Sequence, residues 1–151
     1  MNALHGHAED LATYLFRTGA DFVERRLEYA DGRTRAQLVL EAELPGAGLP
    51  PVSRVIVRET FELRDGSWEQ VGYRYELVDR EADGRRAFHL HDQELFLKRY
   101  RILVHEHCER PIGSARCEHY AGLPIRDSRD GVQRILRTWT DGFDCDQLTC
   151  L

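Results

Sequence analysis

The chain has 151 residues, of which 42% are hydrophobic and 31% charged, with a formal net charge of −5. That length favours a single domain, 1–151, able to bury about 68–70% of the surface its unfolded form exposes, and the composition excludes a wholly disordered chain. No apolar run approaches the ~20 residues of a membrane-spanning helix, and the acidic balance argues against broad, non-specific nucleic-acid binding.

Residues 1–20 predict a short helix with Leu11, Leu15 and Thr18 on one stripe and Gly19 as its stop. They lack a basic start followed by an apolar stretch, so a secretory signal is not expected and a cytoplasmic location is. The period then changes. Phe22–Tyr29 and Thr34–Leu44 flank Ala30-Asp31-Gly32-Arg33, and Asp-Gly between strand-like runs signals a hairpin. Leu38, Leu40, Ala42 and Leu44 share one face of the second run, as a sheet with one wet side requires. Residues 45–51, rich in Pro and Gly, read as a loop.

A second hairpin is expected from Val52–Leu63 and Trp68–Val78, turning at Asp65-Gly66, with Val55, Val57, Phe61, Val71, Tyr73, Tyr75 and Leu77 placed for burial. Asp83-Gly84 marks a third turn before a strand over Arg86–His91, and Tyr100–His107 is again strand-like. Residues 109–127 have little periodicity, and a loop of that length in a compact domain is usually functional or pinned. Val132, Ile135, Leu136 and Trp139 then form an amphipathic stripe on a helix over about 130–141, capped by Asp127 or Ser128 and ended by Gly142. The expected architecture is α+β: a meandering antiparallel β-sheet with an N-terminal helix and a C-terminal helix packed against it.

Five of the seven histidines fall between 89 and 119. His89 and His91 leave one face of their strand about 7 Å apart, and His105 and His107 repeat the relation on the next. If the strands are neighbours, four imidazoles share a surface; a one-residue slip in register would put the pairs on opposite faces. Imidazole suits both proton transfer near neutral pH and metal ligation. A histidine pair serves as general base and general acid in cleaving a phosphodiester without metal, with Arg86 expected to hold phosphate. The alternatives are a polar sheet surface and an imidazole-bound catalytic metal with an open position for water.

All four cysteines lie between 108 and 150. In a cytoplasmic protein they are more readily a metal site than disulfides, so zinc held by Cys108, Cys117, Cys145 and Cys150, with His119 able to replace one thiolate, is expected to pin the loop and the tail. Buried free thiols are the alternative. Of the 21 basic residues all but Lys98 are arginine, which permits a local phosphate-binding face; the arginines around Asp127 and Asp130 read more simply as a solvated helix surface. Tyr73 and Tyr75, which could stack on a base, read more simply as core.

The segment Tyr73-Arg-Tyr-Glu-Leu-Val-Asp79, the strand carrying Arg86, Phe88, His89 and His91, the further histidine-bearing segment and the terminal helix ending in Trp139 follow one another in an order that resembles the small TumE-like toxins of prokaryotic toxin–antitoxin pairs. The resemblance covers about 52–142 and rests on layout; the four cysteines depart from it. It implies a compact nuclease-like or translation-interfering toxin with an antitoxin protein as partner, and with the histidine cluster it motivates the reading of an RNA-directed, ribonuclease-like enzyme. The other reading is a non-catalytic, zinc-stabilised binding or regulatory module.

Overall fold

The structure is a computed structural model, and it describes residues 3–46, 53–90 and 104–151. Helix α1 (Ala3–Phe16) leads into strands β1 (Asp21–Ala30), β2 (Arg35–Glu43), β3 (Arg54–Arg64), β4 (Ser67–Asp79), β5 (Gly84–Leu90), β6 (Val104–Glu109) and the two-residue β7 (Tyr120–Ala121). Helix α2 (Ser128–Asp141) and a single 3₁₀ turn (Cys145–Gln147) complete the chain. The strands form one antiparallel sheet in sequence order, β1-β2-β3-β4-β5-β6-β7. This is the expected α+β meander with a helix at each end. His91, the first four residues of the Tyr100–His107 run and most of the 45–51 loop lie outside the described residues.

Turn chemistry sets the meander. Asp65 and Gly66 join β3 to β4 with φ of 49° and 79°, the left-handed pair that matches the twist of a two-residue hairpin. A bulge at Thr60/Phe61 leaves Val71 without an opposite residue, which keeps Tyr73, Tyr75 and Leu77 in step with the core positions of β3.

Register assigns every side chain to a face. One row across the sheet reads Leu40, Val57, Tyr75, Phe88, Glu106, Tyr120. This face carries the core: Leu38, Leu40, Val55, Val57, Tyr75 and Leu77 are almost wholly buried against Leu11 and Leu15 of α1 and Val132 and Ile135 of α2. Tyr73 and Tyr75 are core residues. Asp127 caps α2 by accepting from the Asp130 N–H at 2.8 Å. On the opposite face the neighbouring row reads Val39, Arg58, Arg74, His89, His105, Ala121. Among the described residues no helix is long and apolar enough to cross a membrane.

Candidate functional site

His89 and His105 are directly opposed across β5 and β6, and His107 stands two residues on, opposite Ala87. The pleat therefore delivers all three imidazoles to the face away from the core. Ring centroids lie 5.1 Å apart for His89–His105, 4.7 Å for His89–His107 and 5.1 Å for His105–His107. One nitrogen from each ring lies within 4.8 Å of the others, so the three could hold a metal ion. His119, at the entry to β7, closes the group at 5.0 Å from both His105 and His107.

The surroundings favour neutral imidazole at His107. Burial, then the neighbouring His119, Arg85 and Arg74, push its pKa down to about 4, below the usual histidine range. Ion pairs run along the same face beside the rings: Arg85 binds Glu76 at 2.6 Å and Glu109 at 3.1 Å, Arg74 pairs with Glu76, and Arg54 binds Glu41 at 2.7 Å. Arg74 and Arg85 are thus already engaged by carboxylates.

Two expectations are corrected. The thiolate zinc site does not form, because the cysteines are paired as disulfides, Cys108 with Cys145 and Cys117 with Cys150, at Cα separations of 5.4 and 5.8 Å. Parity explains the loss of the mixed site: Cys108 is opposite Arg86 on the core face, so it points away from His105 and His107. His119 joins the imidazoles and not a thiolate set. The long loop is pinned, as its length suggested, but by sulfur–sulfur bonds. The second correction concerns Arg86, which is one residue out of phase with Ala87 and His89. Its guanidinium pairs with Glu106 at 2.6 Å on the α2 side, and the sheet separates it from the imidazoles it was expected to serve.

A buried polar group elsewhere escaped the sequence. Glu59 is fully buried on the core face. Its carboxyl accepts from the Tyr75 hydroxyl at 2.5 Å and meets His7 Nε2 of α1 at 2.6 Å, while Ser128 Oγ lies 3.4 Å from that same nitrogen. Both partners of His7 use Nε2, so the set is not a nucleophile–base–carboxylate relay, which needs the two ring nitrogens for different partners. The signal was present: Glu59 has the parity of Val55, Val57 and Phe61, and His7 is three residues after Leu4 and four before Leu11 on the buried stripe of α1. No protein-family model, curated protein or solved structure matches the chain.

Proposed function

We propose that the chain is a small metal-stabilised binding module in which His89, His105 and His107 hold a divalent transition-metal ion, with zinc the best fit. The observation that supports this is convergence: three imidazole nitrogens from two paired strands, all within 4.8 Å of one another. A tetrahedral ion with bonds of about 2.1 Å asks for ligand separations of about 3.4 Å, so a bound ion would draw the three nitrogens closer together. Imidazole is a nitrogen ligand that zinc accepts readily, and zinc imposes little geometry of its own. His119 is placed to be the fourth ligand, which makes the site closed and its role structural. With His119 turned aside, a bound ion would offer Lewis-acid chemistry at the fourth position.

Metal analysis of protein purified without chelator, followed by zinc titration, tests the proposal. About one ion per chain is expected, retained in Cys117→Ala/Cys150→Ala and lost in His105→Asn/His107→Asn. Folded wild-type protein that takes up no zinc at micromolar free ion would overturn it.

A second reading keeps the RNA-directed, metal-free chemistry, with an antitoxin as partner. The opposed pair His89 and His105 favours it, since two imidazoles on one face can supply the general base and the general acid of phosphodiester cleavage. Against it stands the absence of Arg86 from that face. The two disulfides also speak for an oxidising compartment and against the cytoplasm in which such a toxin would work. RNA cleavage that persists in chelator and disappears in His89→Ala would favour this reading over the first.

A further inference from the structure

A cleft of about 560 Å³ opens on the core side of the sheet edge, between β5–β6 and α2. We infer that this cleft binds a phosphate monoester of nucleotide size, its phosphate held by arginine and its organic part laid on an apolar wall.

Four arginines line the cleft, Arg86, Arg126, Arg134 and Arg137, against two carboxylates, Glu106 and Asp130. Both carboxylates are already committed. Glu106 accepts from Arg86 at 2.6 Å. Asp130 accepts from Arg134 at 3.3 Å and from the Arg126 backbone N–H at 3.1 Å, contacts that hold its carboxyl below the usual range. The cleft therefore keeps an excess of positive charge on a chain whose net charge is −5, a local reversal of sign that draws in anions.

The guanidiniums differ in role. Arg134 is held in place by the carbonyls of Leu123 at 3.0 Å and Pro124 at 2.7 Å, so it is a fixed part of the wall. Arg86 lies with its guanidinium carbon 5.2 Å from the Phe88 ring centre, and its buried Nε–H has no acceptor among the described residues. Arg137 makes no ion pair among the described residues, and Arg126, 81% exposed, reaches Asp130 only at 3.8 Å. Arg126 and Arg137, both exposed, are the forks left to close on a phosphate, whose oxygens match the planar donor pair of each.

Size and lining argue for more than a bare anion. The volume falls in the range of about 300–1,000 Å³ typical of small-molecule pockets, far beyond what inorganic phosphate fills. Leu123 stands 70% exposed at the cleft beside Pro124, an apolar surface that a sugar and a planar ring would cover. The cleft and the imidazoles are on opposite faces of the sheet and share no lining residue.

Isothermal titration of the full chain with adenosine 5′-monophosphate, adenosine and inorganic phosphate tests the inference. The nucleotide is expected to bind at least tenfold more tightly than either fragment. Arg126→Gln/Arg137→Gln, which leaves Asp130 its contacts with Arg134 and with the residue-126 backbone N–H, is expected to weaken the nucleotide at least tenfold while the circular dichroism spectrum stays unchanged. Absence of nucleotide binding up to millimolar concentration overturns the inference. So does equal affinity for adenosine, equal affinity for phosphate, or an unchanged affinity in the double variant.

Discussion

Glu59 sits at a position where the sheet calls for an aliphatic side chain, and its cost is met by the contacts of two other elements. A buried carboxyl group needs hydrogen-bond donors, and Tyr75 and His7 provide them. The Glu59 hydrogen bond, opposed in part by burial and reinforced by the charges of Glu59 and Asp10, raises the His7 pKa above its ordinary value. Asp127, the cap of α2, and Arg129 in its first turn line the same small cavity as His7. The sign follows from linkage: a histidine with a raised folded pKa contributes stability that is full below its unfolded value of about 6.5 and is lost as pH rises through the folded value. Thermal melts from pH 6 to pH 9 should therefore show wild-type stability falling above about pH 6.5, with a flatter profile for His7→Gln. Parallel profiles would remove the link. Truncation to His7→Ala leaves Glu59 short of a partner and should cost about 1–3 kcal/mol at pH 6, read from urea midpoints. A sequence pass that sorts residues by polarity overlooks this pair, because it discards a glutamate without testing its phase against Val57 and Phe61.

Helix α2 rests on β4 through a missing side chain. A Cβ on Gly131 would lie 2.5 Å from the Tyr75 ring, and that ring is fully buried and unable to retreat. Alanine would gain about 1 kcal/mol in helix propensity but would overpack the contact at a cost of about 1–3 kcal/mol. Gly131→Ala should thus be neutral to destabilising, lowering the melting temperature by up to about 8 °C; a clear rise would show that the helix shifts without strain. The stripe Val132–Ile135 and the Asp-Gly turns made α2 and the hairpins legible, because both signals are local. The histidine cluster was legible only in part. Spacing showed that each pair shares a face, but whether the pairs meet depends on His89 lying opposite His105, which is a matter of register across a connection and not of composition. The cysteine pairing is not legible for a related reason: the spacing suits metal ligation and disulfides alike, and the choice between them turns on the redox compartment. Arg86 is near His89 in sequence but not in space, because an odd offset on a strand puts two side chains on opposite faces of the sheet.

At the scale of the whole molecule, the second half is held by restraints of two kinds, covalent and, under the proposed function, coordinative. The bridges span 37 and 33 residues, and each alone would contribute about 3–4 kcal/mol by loop entropy. They interlock, however, so with the first closed the second shuts a path of only about 15 residues, worth about 3 kcal/mol. Removing Cys117–Cys150 as the double alanine variant should therefore lower the melting temperature by about 6–12 °C, at 2–4 °C per kcal/mol for a chain of this size. The same segment carries His119, two residues beyond Cys117, into the imidazole group. An ion bound there ties β5 and β6 to the entry of β7, the region the lost bridge had tied to the tail. Free zinc at a hundredfold over its dissociation constant stabilises by about 2.7 kcal/mol, close to the loss. Zinc should thus restore most of the melting temperature of the bridge-deleted protein, and His105→Asn/His107→Asn introduced into that background should abolish the rescue. Differential scanning calorimetry with zinc and with chelator reads both, and a melting temperature that ignores zinc in the bridge-deleted protein would detach the imidazoles from the stability of this fold.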